Sequence, residues 1–484
     1  MTSRLLTGAM AVASAVAAGF TAWALGEGAL GLAVLPVAAA LGLVVGALAL
    51  TRFGAYALLM LAVRPMVDLF KLSGPTAGKA GVDAEGVSRT LDPSTILGVL
   101  FLIAAGLWLA ARAREHGRLR TSPLTVALLM VGATALVSAL GADKVPNSLL
   151  EALRILTVVV MFVVLEQLLG DHRYARRILL AVYGSLAIVV AYTVILSLTG
   201  NPPAEVKGSF VRISGPFAQS TTFGRYLMFL LIFGFGIFRY VHGRLRVALG
   251  VLLGLSFVFL LLTNTRSAIL GLAIGLIVVA LVQRSARMLL ALGLAAVLGV
   301  ALLPAVGDRF AQLAEARQVG GAPTGNTLAW RLGYWSEIVS LANRNPVTGI
   351  GPNMTQFQTD EAKKPHNDFL RAYVETGVVG LLAYLAMMVL LLLAGLRALR
   401  RAPPGTLARG IAAGNLGCAV AFVAISAVSN VLSSVATLWY LVAFAAVAGA
   451  APALEVVTTE PVTSRPVTNK VEEHGDSGLS RHSA

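Results

Sequence analysis

KKPHNDFLRAYVETGVVGLLAYLAMMVLLLLAGLRALRR, residues 363–401, begins polar, turns apolar over 374–396, and closes on Arg397, Arg400 and Arg401. A helix needs about 20 predominantly apolar residues to cross a bilayer. This stretch therefore reads as a transmembrane helix with a charged foot and an unusual polar head. Runs of similar length recur along almost the whole chain, parted by short Arg-rich or Gly/Pro/Asn-rich interruptions, and we count about fourteen, with 12–14 compatible with the pattern. The third, 54–70, is the least regular, because Arg64, Pro65 and Asp68 fall in its final two turns. Composition agrees: 57% of residues are apolar and 13% charged, against about 25% charged in soluble domains. The expected fold is all-α, a polytopic helical membrane protein, and soluble fold classes are excluded.

The basic residues predict orientation. Arg112, Arg118, Arg120, Arg173, Arg176, Arg239, Arg244, Arg284 and Arg397 all fall in alternate short connections, where Glu115 and Asp171 are the only acids. The positive-inside rule makes that side cytoplasmic. The formal charge of +15 then reads as topology signal and contact with anionic headgroups, and calls for no nucleic acid. The start, RLLTGAMAVASAVAAGF, resembles a signal peptide, but its long apolar run favours an uncleaved first span over 5–25. Cys418 is the single cysteine and lies in a span, so neither a disulfide framework nor a thiolate metal site is expected.

Two outward segments are longer than turns: 200–222, rich in Gly, Pro and Ser, and 307–373. Loops of the second length are usually functional or disordered, and this one has pattern. NTLAWRLGYWSEIVSLAN repeats Leu328, Leu332, Trp335, Val339 and Ala342 at helical spacing, an amphipathic helix expected to lie at the outer interface with Trp330, Tyr334 and Trp335 at headgroup depth. The expected organisation is an N-terminal bundle over 1–200, a working region over 201–396, a helical hairpin over 397–452 and a disordered cytoplasmic tail over 453–484.

On a helical wheel starting at His366, Leu370, Tyr373, Gly377 and Gly380 share one face, and Asp368, Arg371 and Glu375 the other. The glycines suit close helix packing, which predicts that the histidine face turns toward the protein. Pro365 suits a helix start, and Asn367 or Asp368 can cap it. A helix N-terminus favours an anion. An unperturbed histidine, with a pKa of about 6.5, can accept a proton near neutrality.

HN, nine residues, then GVVG closely resembles the histidine motif of the O-antigen ligase and O-antigen polymerase superfamily. RLGYW at 331–335, NPVTGIGPNMTQF, RISGPF at 212–217 and NTRSAILGLAIG at 264–275 resemble its other blocks, together covering about residues 205–385. The resemblance implies transfer of a glycan from undecaprenyl diphosphate to a lipid, sugar or protein acceptor on the outer side of the cytoplasmic membrane, with no nucleic-acid partner. It implies that His366 acts as base on the acceptor hydroxyl or orients it, helped by Asn367, and that Arg266 and Arg331, with Arg212 as a third candidate, hold the diphosphate. Guanidinium binds such oxygens bidentately, and the growing negative charge of a diphosphate leaving group calls for fixed cations. No cofactor or metal is implied. Lys363 and Lys364 read as loop charges.

GPTAGKA at 74–80 has one spacer too few for a P-loop and lacks its Ser/Thr. A lipid-linked oligosaccharide flippase would place charge at membrane depth, where the spans are nearly free of it. A peptidoglycan glycosyltransferase would rely on an outward acid, for which Asp308, Glu337 and Asp360 are available without the surroundings to match. The superfamily itself contains ligases and polymerases, which differ in acceptor.

Overall fold

The computed structural model describes residues 35–70, 93–207, 210–290, 328–359 and 363–456, with fragments at 293–294, 318–319 and 322–323. The expected first span, nearly all of the eleventh (288–306), GPTAGKA, Asp308, Asp360 and the tail beyond Val456 lie outside the described residues.

What is described is helical. The long elements are α1 (Leu35–Thr51), α2 (Phe53–Val63), α3 (Pro93–His116), α4 (Pro123–Leu140), α5 (Val145–Leu168), α6 (Arg173–Leu198), α7 (Ser220–Phe238), α8 (Gly243–Leu262), α9 (Arg266–Val282), α10 (Leu328–Ala342), α11 (Asp368–Arg401), α12 (Leu407–Ser426) and α13 (Val435–Val456). A short antiparallel hairpin, β1 (Ala204–Lys207) with β2 (Phe210–Ile213), links α6 to α7 and pairs Glu205 with Arg212. Among the described residues, eight helices are long and apolar enough to cross a membrane. The protein is an all-α, multi-pass membrane protein.

Local sequence sets the ends. Ser122 caps α4 by accepting from the Thr125 amide at 3.2 Å, with Pro123 as the first helical residue, where a missing N–H costs nothing. The expected third span is broken. The helix stops at Val63, Arg64 turns back to pair with Asp68 at 3.1 Å and donates to Ser94 at 3.0 Å, and all three are buried. Eleven residues rise about 16 Å, so α2 alone is too short to cross; the charges end it by pairing inside the protein.

α7 and α12 are enclosed over most of their length, while α3 and α8 leave most of theirs open to the surroundings. Small residues bring α7, α9 and α12 together. A Cβ on Gly236 would sit 2.7 Å from the Cα of Gly414, and one on Gly417 would sit 2.8 Å from the Gly275 carbonyl. Only glycine tolerates such backbone approach, the packing expected of small residues in membrane helices.

α11 is two pieces. Gly377 takes φ 69° and ψ −173° inside it. The residues before it form a stub, and the 24 residues of 378–401 rise about 36 Å, enough to cross. The breakers NPVTGIG stitch into the gap: Ile350 N–H donates to the Val374 carbonyl at 3.0 Å, Gly351 N–H to Glu375 at 3.0 Å, and Val378 N–H to Pro346 at 2.8 Å. A Cβ on Gly377 would lie 2.0 Å from the Val347 carbonyl oxygen. Gly377 therefore meets this loop, not another helix as expected. Gly380 does face a helix, with its would-be Cβ 3.6 Å from Thr134 on α4.

Candidate active site

Asn367 caps α11, its Oδ1 accepting from the Phe369 and Leu370 amides at 3.0 and 3.1 Å. His366, just before the cap, adopts φ 55°, an uncommon conformation for a non-glycine residue. Pro365 precedes the cap by two residues instead of starting the helix.

What assembles the site is the connection between α12 and α13, at the arginine-poor end of the bundle. Arg331 Nη1 donates to the Val428 carbonyl at 3.2 Å. Ser429 accepts from Arg225 Nη2 at 2.5 Å and donates to Ser267, next to Arg266, at 3.4 Å. Asn430 Oδ1 accepts the His366 backbone N–H at 2.7 Å. Three successive residues, covering about 7 Å of chain, thus gather the arginine of α10, the start of α9 and the histidine. Arg331 Nε and Arg225 Nε are buried without a hydrogen-bond partner among the described residues. Burial also pushes the Arg331 guanidinium below its ordinary pKa.

Beneath the histidine lies a buried ion cluster. Arg371 donates to Glu375 at 2.8 Å, to Glu151 on α5 at 3.0 Å and to Ser433 at 2.8 Å. Arg154 pairs with Glu151 at 3.4 Å. Asp368 Oδ2 accepts from the Val431 and Leu432 amides at 2.7 and 3.2 Å, and its Oδ1 is buried and unpartnered among the described residues. Lys364 joins through Ser433 at 3.3 Å. Its ammonium is pushed down in pKa by burial, against the pull of Glu151 and Glu375. The face carrying Asp368, Arg371 and Glu375 is therefore buried, as are Gly377 and Gly380 on the histidine face; α5 and the 429–434 loop supply partners that the helical wheel does not contain. Lys364 is part of this cluster and not a loop charge; Lys363 is exposed.

α10 is a clamp. Trp335 Nε1 donates to the Pro365 carbonyl at 2.7 Å, and the Tyr334 hydroxyl donates to that of Lys363 and lies 3.0 Å from Thr359 Oγ1. Tyr334, Ile338, Leu341 and Ala342 are buried, whereas Leu332 and Val339 are exposed. The inward face is thus rotated from the expected one and includes Arg331, and the two aromatic side chains hold the segment 363–365 that leads to the histidine. The Trp330 side chain lies outside the described residues.

Arg212 is buried, donating to the Thr263 carbonyl at 2.9 Å, to that of Asn264 at 3.3 Å and to Thr265 Oγ1 at 3.0 Å. It fixes the turn that presents Arg266. Among the described residues, no group of three or more His, Cys, Asp and Glu side chains is placed to share a metal ion.

Residues 249–385 match the O-antigen ligase family. This segment, less than a third of the chain, is similar to that family. It is also similar to the exopolysaccharide production protein ExoQ of Rhizobium meliloti (strain 1021), 26% identical over 227 residues, which take in 42% of this chain and 50% of that protein. The chain thus spans half the length of the curated relative it matches.

The matched segment holds Arg266, Arg331, His366, Asn367, Gly377 and Gly380 within its bounds. Glu151, Arg225 and the 427–434 loop lie outside it, yet side chains of the segment converge on them. Sequence reasoning missed all three. Two signals were available: an arginine inside the apolar run of α7, which is a functional-site flag by default, and the Ser/Asn-rich break VSNVLSS between two membrane-length runs.

Proposed function

We propose that the protein is a membrane glycosyltransferase of cell-surface polysaccharide biosynthesis, moving a glycan from undecaprenyl diphosphate to an acceptor hydroxyl at the arginine-poor end of the bundle. By the positive-inside rule that end faces out of the cytoplasmic membrane. The observation that carries the reading is the convergence of Arg331, Ser267 beside Arg266, Arg225 and His366 on Val428, Ser429 and Asn430. Cations gathered beside a histidine, with N–H groups unpartnered inside the protein, suit a substrate whose leaving group is a diphosphate. A lipid-linked donor carries that group with it, so no nucleotide or metal is required.

In the reaction the acceptor oxygen attacks the anomeric carbon, the bond from that carbon to the diphosphate breaks, and the electron pair leaves on the diphosphate. Arg331 and Arg266 hold the diphosphate, with Arg212 supporting Arg266 through the 263–265 turn. His366 acts on the reacting oxygens as base or as orienting group, and Asn367 holds the helix start beneath it. The working region is 201–396 completed by 427–434.

A second reading within the family is a polymerase, whose acceptor is another carrier-linked unit; the name of ExoQ, exopolysaccharide production, is compatible with either reaction. A flippase is disfavoured because the buried charges of α5, α7 and α11 lie toward the starts of those helices and not at their midpoints. Deleting the gene and analysing carrier-linked glycans tests the assignment. A ligase leaves full-length chains on the carrier, a polymerase leaves single repeat units, and trapping of units inside, or no change, overturns the transferase reading.

A further inference from the structure

We infer that Asn430 fixes the tautomer of His366, so that this histidine works as a hydrogen-bond donor through Nε2–H and not as a base. Asn430 is 7% exposed and touches the histidine twice. Its Oδ1 accepts the His366 backbone N–H at 2.7 Å, and its Nδ2 lies 3.4 Å from Nδ1 of the ring. The first contact decides the second. A backbone N–H can only donate, so the atom facing it is the amide oxygen; the amide nitrogen, which carries only donors, is left against the ring. Nδ1 must then present its lone pair, because a proton there would set N–H against N–H. The proton of the neutral imidazole sits on Nε2.

The backbone contact also explains why His366 keeps a left-handed φ of 55°. The same amide therefore holds both main chain and ring, and Asn430 is a positioning residue. It is in turn held by its neighbours, since Asp368 accepts from the two amides that follow it, Val431 and Leu432.

The chemical consequence rests on the proposed transferase reading. With Nδ1 engaged by Asn430, the ring offers a donor to whichever oxygen gains charge, and in glycosyl transfer that oxygen belongs to the departing diphosphate. His366 then stabilises the leaving group together with the arginines. As the bond to the anomeric carbon breaks, the proton of the acceptor hydroxyl passes to a non-bridging oxygen of the same diphosphate, whose charge is rising. The step balances without a protein base.

Two measurements test this separately. In full-length protein labelled with 15N-histidine, the six histidines are resolved by NMR in detergent, and the His366 pair is identified by its loss in His366→Gln. A protonated Nε2 and an unprotonated Nδ1 are expected in the wild type. Asn430→Asp keeps an acceptor for the backbone N–H but puts a second carboxylate oxygen against Nδ1, and is expected to move the proton to Nδ1. A wild-type ring protonated on Nδ1, or a tautomer unchanged in Asn430→Asp, overturns the inference whatever the reaction is.

The second measurement is transfer with a carrier-linked donor. A glutamine amide can place an N–H where Nε2–H stood but cannot act as a base. His366→Gln is expected to keep activity within about tenfold, and His366→Ala to lose on the order of a hundredfold or more, the scale of a lost charge-stabilising donor. Equal losses in the two, with both proteins folded, overturn the donor role and return the histidine to base catalysis. Absence of transfer in the wild type refutes the transferase reading instead, and leaves the NMR result standing.

Discussion

The two ends of the bundle both carry arginine, and they use it in opposite ways. At one end Arg114, Arg118, Arg173, Arg176, Arg177, Arg244, Arg287 and Arg400 are exposed; Arg112 and Arg409, half-buried, turn to the carbonyls of Gln167 and Leu399. At the other end Arg64, Arg212, Arg225 and Arg371 are nearly or fully buried, as are Glu151, Asp368 and Glu375. The first set reports orientation and costs little to place. The second is expensive, because burying charge demands partners. It is burial, not number, that separates the arginines read as an orientation signal from those of the proposed site.

The comparison breaks most sharply at Arg371. Removing it strands Glu151 and Glu375 in the interior without their main cation, and uncompensated buried charge costs about 3–5 kcal/mol. Arg371→Ala should therefore fall steeply in melting temperature in detergent, and Arg371→Ala with both acids changed to Gln should recover much of the loss. If the single variant melts like the wild type, the cluster does not hold this end together.

Next in size is Gly377→Ala. The left-handed φ costs about 1–3 kcal/mol for other residues, and the added Cβ would collide with the Val347 carbonyl, backbone that cannot step aside cheaply. We expect about 3 kcal/mol in all, read as a drop in melting temperature larger than that of Gly184→Ala, where a Cβ meets nothing within 4 Å. Equal shifts would mean that the stitch between NPVTGIG and α11 carries no weight.

The same two positions show what a single sequence can yield. Hydropathy and arginine spacing make the polytopic fold plain, because both are summed over many residues and survive local error. His366, Arg266 and Arg331 were legible as a resemblance of short blocks, and the structure explains why such blocks recur together: NPVTGIG docks into the kink before GVVG, and RISGPF braces NTRS through Arg212. The direction of a charged helix face was not legible. A wheel puts Asp368, Arg371 and Glu375 on the face away from the histidine but cannot show that face buried, because the partners that arrive there, Glu151 and Ser433, are 220 and 62 residues away from Arg371 in sequence. Periodicity is local, and burial of charge is decided by what arrives from elsewhere in the chain.

Arg331 sharpens the comparison at the level of chemistry. Among the described residues its side-chain hydrogen bond is to one carbonyl, Val428, so its removal should leave stability almost unchanged while transfer falls about a hundredfold, the usual scale for a charge-stabilising group. Arg331→Lys keeps the charge but loses the fork that binds oxygens in pairs, and should recover only part of the rate. Transfer assays beside a melting curve decide it: a parallel loss of both would make Arg331 a structural strut like Arg212.

The smallest effect is expected at the other end, and it is the control on which the contrast depends. Arg176 is exposed near the start of α6, where a lone charge in water contributes within about 0.5 kcal/mol. Arg176→Gln should melt like the wild type and transfer at an unchanged rate, since nothing inside the bundle relies on it for a partner. A clear loss of transfer in a folded, correctly inserted Arg176→Gln protein would mean that chemistry draws on the exposed arginines too. Burial would then no longer distinguish the end that reacts from the end that only orients.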